Sequence, residues 1–253
     1  MICTRSLSKT YRTRKGSTDA LKDVSVAIPP GVTALIGSNG SGKSTLMRLL
    51  CTLEEPSRGS FTVAGDVIAG RARTSYRQRI GYVPQDVHFV STMTCKDALS
   101  YAGWVAGLNR PRYLARVPEV LSLVELSGTE NARVGALSGG QTRRIGIAAA
   151  LMHSPDILFF DEPTAGLDPH ARIEVRRIVE RLGTEATVVL STHLSDDIES
   201  LSQHVIALHA GRVAFEGTWD ELKSAARQEM EGLTTDDLES ALAFIAGTAQ
   251  RRG

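Results

Sequence analysis

Long apolar runs are missing from this 253-residue sequence. Its strongly hydrophobic stretches reach about five to eight residues, against the roughly 20 that a membrane-crossing helix needs. The N-terminus does not join a charged segment to a long apolar one, so secretion through a signal peptide is not expected. Cysteine is scarce: Cys3, Cys51 and Cys95 are widely spaced, with no CxxC pair and no Cys/His cluster at zinc spacing. That excludes a disulfide framework and leaves reduced thiols as the expectation. Charge of one sign is also absent. Lys and Arg number 29 against 28 Asp and Glu, a net charge of +1, whereas a free nucleic-acid binder carries a clear basic excess. No internal repeat, heptad run or low-complexity block is visible.

What remains is an ordinary globular composition, 42% hydrophobic and 23% charged, with enough core for one large domain or two small ones. The charge is uneven. Arg5, Lys9, Arg12, Arg14, Lys15 and Lys22 outnumber Asp19 and Asp23 near the start. Arg71, Arg73, Arg77 and Arg79 form a second basic run, and the stretch from Glu216 to Glu239 is acidic. Such runs read first as solvated surface.

Val24, Val26 and Ile28 alternate as a half-buried strand would, and Pro29-Pro30-Gly31 ends it. Val32 to Ile36 reads as a buried strand, Lys43 to Leu50 as a helix, and Ile157 to Phe160 and Thr187 to Leu190 as further buried strands. Ile173, Ile178, Val179 and Leu182 recur at helical spacing. Strands alternating with helices predict a largely parallel sheet covered on both faces. Residues 86–150 show no convincing strand; Leu99, Val105, Leu114, Val117, Leu121 and Leu123 predict short helices inserted into that core. His204 to Leu208 and Val213 to Phe215 flank Ala210-Gly211 as a hairpin. Thr218-Trp219-Asp220-Glu221 has capping-box spacing. Leu238 to Ile245 reads as an amphipathic last segment, and Arg251 to Gly253 as frayed.

The decisive stretch is Gly37-Ser38-Asn39-Gly40-Ser41-Gly42-Lys43-Ser44-Thr45, a GxxxxGK[ST] sequence between predicted strand and helix. Its glycines let successive N–H groups turn inward onto phosphate oxygens, and the helix start adds partial positive charge. Lys43 would reach the β- and γ-phosphates, and the Ser44 hydroxyl would ligate Mg2+. The order GxxGxG is not the GxGxxG of a dinucleotide fold. Asn39-Gly40-Ser41 also matches a glycosylation sequon, read here as a chance match. Ile157 to Phe160 ends in Asp161-Glu162. Asp161 would hold Mg2+ and Glu162 would polarise an attacking water.

Leu137-Ser138-Gly139-Gly140-Gln141 lies 20 residues before Ile157. With both phosphate-site sequences in this order, the chain resembles the ATP-binding subunit of ABC transporters from about Met1 to Gly247. The resemblance implies an α/β fold: a P-loop NTPase core with a mostly parallel sheet, N-terminal antiparallel strands and a helical insertion subdomain. It implies one domain over 1–253, with core segments at about 1–85 and 151–222, the insertion at about 86–150 and a short tail at about 223–253. Cofactors are then ATP and Mg2+. Ser138, Gly139, Gly140 and Gln141 would bind the γ-phosphate held by a second ATP-binding subunit, in a head-to-tail dimer of either two identical or two different subunits. Tyr11 would stack on adenine. Gln85 would ligate Mg2+ or orient water, Asp168 would contact the other subunit, and His193 would sense the γ-phosphate.

Two departures are small. Ser38 replaces a frequent proline or histidine, and Thr142-Arg143 replaces a common Arg-Gln. Every catalytic position is filled, so hydrolysis is expected. The implied partner is an integral membrane permease on another chain, which places this chain on the cytoplasmic face of the cell membrane, with no direct nucleic-acid contact. Asn131 to Gly135 lacks the TEVGERG-like loop of many fused exporters, and no long regulatory segment follows Gly217. Phe89 to Leu99 and Gly232 to Leu242 resemble ABC-2-type exporter subunits, so export is the expected direction. The alternative is a soluble ABC ATPase of translation or DNA maintenance, which would usually carry two cassettes or a long coiled-coil insertion.

Overall fold

Buried β-branched and aromatic runs set up the central sheet. The computed structural model describes residues 1–13 and 16–229. Strands β1 (Ile2–Thr13), β2 (Gly16–Val24), β3 (Ala27–Ile28) and β4 (Gly31–Ile36) precede α1 (Lys43–Leu50). β5 (Arg58–Val63), β6 (Asp66–Val67), α2 (Ala72–Arg77) and β7 (Ile80–Val83) follow. Next come α3 (Cys95–Val105), α4 (Arg110–Leu123), a short 3-10 turn (Val134–Ala136) and α5 (Gly139–Ala150). The chain continues through β8 (Ile157–Asp161), α6 (Pro169–Gly183), β9 (Thr187–Ser191), α7 (Ser195–Leu201), β10 (His204–His209), β11 (Arg212–Gly217) and α8 (Trp219–Glu229).

Two sheets result. The larger runs β11-β10-β4-β9-β8-β7, parallel from β10 to β7 and closed by the antiparallel β11. The smaller is antiparallel, β2-β1-β5-β6, with β3 paired to β1. Alternate side chains of the parallel strands leave on opposite faces. Leu158, Phe160, Val188 and Leu190 pack with the helices of the 95–183 region. Ile157, Phe159 and Val189 pack with α1 and the antiparallel sheet. Helix α1 thus lies under the antiparallel sheet with its first residue at the edge where β4 ends. This is the expected α/β fold of mostly parallel sheet, antiparallel N-terminal strands and inserted helices. No helix among the described residues is long and apolar enough to cross a membrane.

The strand expected over Val24, Val26 and Ile28 is not continuous. All three are buried, but β2 stops at Val24 and β3 begins at Ala27. Asp23 sits at φ 55, and Thr4 fills the gap. Its hydroxyl donates to the Val24 carbonyl and accepts from the Val26 N–H, both at 2.9 Å. The predicted helix at 170–182 appears as α6, yet Ile173 is 46% exposed; Ala171 and Val175 occupy the inner face instead. Val105, read as an apolar helical position, is also exposed. Residues 86–150 are helical as expected, with one isolated bridge between Thr94 and Arg133. The hairpin turns at Ala210 (φ 47) and Gly211 (φ 82), the two left-handed positions a tight hairpin turn requires. Thr218 and Glu221 form the expected reciprocal cap. Arg14, Lys15, the Leu238–Ile245 segment, the exporter-like 232–242 stretch and the Arg251–Gly253 end lie outside the described residues.

Candidate functional site

Gly37 leaves β4 at φ 145, and a Cβ there would lie 2.3 Å from the Leu208 carbonyl oxygen. Gly42 caps α1 at φ 109 with no side-chain cap and no acidic residue in the first turn. The first N–H groups of α1 therefore remain available to an anion. The loop is braced from outside. The Gly211 N–H donates to the Ser41 carbonyl at 3.0 Å, and the Gly211 carbonyl accepts from Lys22 N–H at 2.7 Å. Inside it, Lys43 Nζ donates to the carbonyls of Gly37 at 2.7 Å and Ser38 at 3.2 Å. Burial lowers the Lys43 pKa, offset in part by Glu162 and Asp161. Ser41 Oγ is buried with no hydrogen-bond partner.

This loop floors a cavity of about 770 Å3 lined by Thr18, Asp19 and Ala20 of β2, residues 37–45, Gln85, Glu162 and His193. Four separately predicted pieces therefore share one space. Glu162 follows β8 at φ 47, an uncommon conformation for a non-glycine residue. Its N–H is held by Ser191, at 2.9 Å from Oγ and 3.2 Å from the carbonyl. Its Oε2 lies 3.2 Å from His193 Nδ1, whose side chain is 54% exposed. Asp161 is buried behind the cavity lining, where its Oδ1 accepts from Ser191 Oγ at 2.6 Å. Burial and the Asp161 charge push the Tyr82 phenol up to about 12.

In sequence Ser191 is no more than a strand end, yet it ties both Asp161 and Glu162 to β9. Parallel pairing of Asp161 with Ser191 is what brings them opposite, and that register is invisible in a linear pattern. Thr18, Asp19 and Ala20 carry no sequence signal either, because β2 joins the cavity through sheet topology.

Three further predicted pieces stay outside the cavity lining: Tyr11, Ser138 to Gln141, and Asp168. Tyr11 does not line the cavity. Its hydroxyl donates to Glu54 Oε2 at 2.7 Å, and Lys9 Nζ lies 5.1 Å from its ring centre. Ser138 to Gln141 do not line it either. They start α5 with a capping box: Gln141 N–H donates to Ser138 Oγ at 3.2 Å, and Ser138 N–H donates to Gln141 Oε1 at 2.9 Å. Ser138 and Gly139 are not buried, whereas Gly140 is. Asp168 is exposed and caps α6, accepting from Ala171 N–H at 3.0 Å.

Known proteins resemble this chain in sequence and fold. The ABC transporter family profile matches residues 21–165. The chain belongs to the ABC transporter family. It is 35% identical over 233 residues to the ABC transporter ATP-binding protein NatA of Bacillus subtilis (strain 168), covering 90% of this chain and 94% of that one. It is 37% identical over 225 residues to the methionine import ATP-binding protein MetN 2 of Bacillus licheniformis, covering 86% of this chain and 65% of that one. A solved dimeric post-hydrolysis structure of the ATP-binding cassette MJ0796 with ADP and Pi matches with a TM-score of 0.76 and 26% identity, covering 86% of this chain and 98% of that one.

This chain is accordingly an ATP-binding ABC transporter subunit and an ATPase that uses ATP with Mg2+. Its residues fit that pairing. The partnerless Ser41 Oγ and the Lys43 ammonium, satisfied by its own loop carbonyls, make a cradle for phosphate oxygens. Among the described residues no group of three or more His, Cys, Asp or Glu could hold a metal. The hydroxyl, amide and carboxylate expected from Ser44, Gln85 and Asp161 would, with phosphate oxygens, make a mixed oxygen set of the kind Mg2+ accepts. The expectation of export is not supported: a relative named for methionine import is 37% identical to this chain over 225 residues.

Proposed function

We propose that this chain is the ATP-hydrolysing subunit that drives a separate membrane permease, working in a head-to-tail pair with a second copy of itself on the cytoplasmic face of the membrane. The observation that carries this reading is an incomplete site. The cavity gathers the phosphate loop, Gln85, Glu162 and His193, while the start of α5 stands apart from it. Each phosphate site then takes its far wall from the other copy, through Ser138, Gly139, Gly140 and Gln141, with Asp168 alongside.

In this reading Gly37 to Thr45 wrap the phosphates and Lys43 carries charge to the β- and γ-positions. Ser44, Gln85 and Asp161 would hold Mg2+, Asp161 from behind. The ion supplies neutralisation of phosphate charge when bound. Glu162 takes the proton of an attacking water, and His193, 3.2 Å away, holds the Glu162 carboxylate and the γ-phosphate end in line. Tyr11 would meet adenine only from the flank of the cavity.

An apolar groove of about 640 Å3 beside Gln85, lined by Pro84, Val87, Phe89, Tyr101, Val105 and Gly146 among others, supports permease docking. Tyr101, Trp104 and Val105 stand 58–63% exposed at or near its rim. ATP must bind the closed pair more tightly than the open one for this coupling to work. Direction of transport belongs to the permease. Replacing Glu162 with Gln is expected to lower the ATPase rate by about 10^2–10^4-fold while leaving nucleotide binding intact. Turnover near wild type in Glu162→Gln would remove Glu162 as the base.

A further inference from the structure

Asp197, the third residue of α7, has no exposed surface. One carboxylate oxygen, Oδ2, accepts hydrogen bonds from two loops at once: from Thr164 Oγ1 and, at 3.1 Å, from Thr192 Oγ1. The other, Oδ1, accepts from Arg176 Nε at 2.6 Å. Thr164 and Thr192 are themselves 1% and 2% exposed. An apolar residue would fill this space without desolvating a charge. The polar group is instead placed where two catalytic segments meet.

Both threonines sit at informative places. Thr164 lies two residues after Glu162 and opens the 164–168 loop that ends at Asp168. Thr192 immediately precedes His193, and its hydroxyl also accepts from Leu194 N–H at 3.1 Å. That hydroxyl thus spans the backbone of His193 on both sides. Arg176 sits on α6, the helix that Asp168 caps, so the third leg of the bracket returns to the same loop from its far end.

We propose that Asp197 is a positioning residue that couples the Asp168 loop to the His193 loop. A displacement at the surface facing the second copy then moves His193 relative to Glu162. The inference rests on the dimeric reading above, because only that reading places a partner at Asp168. It goes beyond that reading in naming the part through which the partner's arrival reaches the hydrolytic residues.

Thr164→Val and Thr192→Val each cut one leg while keeping side-chain shape, and leave the Asp197–Arg176 pair in place. Steady-state ATPase assays of the full chain are expected to show kcat lowered about tenfold in each, with KM for ATP changed by less than about twofold. Thr164→Ser and Thr192→Ser restore the hydroxyls and should restore kcat. The double Val variant should be no slower than the slower single, since either cut opens the same bracket. A kcat unchanged in both Val variants overturns the proposal, as do multiplying losses or losses that Ser does not rescue. Glu162→Gln and His193→Ala run in the same assay separate the two levels. If they lose turnover and the Val variants do not, the bracket alone fails. If they keep wild-type turnover, the reading beneath it fails.

Discussion

Glu54, just past the C-terminal end of α1, gathers several charges on one carboxylate. Its carboxylate accepts from Tyr11, lies 3.0 Å from Lys9 and 3.7 Å from Arg48. Burial pushes its pKa up, but the Tyr11 and Lys9 hydrogen bonds outweigh that and hold it below the ordinary value of 4.5. A depressed carboxylate pKa stabilises the fold above the unfolded value and loses that contribution as pH falls through the folded one. The melting-temperature advantage of wild type over Glu54→Gln should be full at neutral pH and shrink as pH drops below about 4.5. A constant difference over that range would show that the Glu54 charge contributes nothing. This cluster also holds Tyr11, the residue to which the family resemblance assigns adenine stacking. Its distance from the phosphate loop is legible in sequence, but the pull of Glu54 on its hydroxyl comes from residues 43 positions away.

At the scale of elements, the two glycines of the α5 start divide their tasks. A Cβ on Gly140 would lie 2.6 Å from Ala171 Cβ, whereas one on Gly139 would meet nothing within 4 Å. Gly140→Val therefore overpacks the α5–α6 contact and should cost about 1–3 kcal/mol in a denaturant melt. Gly139→Val should stay within about 0.5 kcal/mol of wild type in the same melt, yet obstruct approach of a second chain. Equal stability losses would contradict this division. Elements with a local signal are legible in sequence. Helix α1 from Lys43 to Leu50, the strand starting at Ile157 and the cap at Thr218 follow from caps, glycines and apolar runs nearby. The break between β2 and β3 is not, because it depends on a Thr4 hydroxyl from another strand. The β2 wall of the cavity is hidden for the same reason. Ile173 misleads because helical spacing marks a face without saying which way it turns.

For the whole molecule, two sheets packed on opposite sides of α1 hold the phosphate loop between β4 and the β10–β11 turn. The parallel register of β8 with β9 then sets Glu162 beside Ser191 and next to His193. These parts converge without the α5 start, and that separation is the basis for reading the chain as half of a larger site. Sedimentation of Glu162→Gln with saturating ATP and Mg2+ tests this most directly, because slow hydrolysis preserves the closed state. The expected result is a dimer that forms only with nucleotide and reverts to monomer when Ser138→Arg is added, with ATP binding retained. A protein that stays monomeric with ATP bound, or a dimer that persists with Ser138→Arg, would contradict a site shared between two copies.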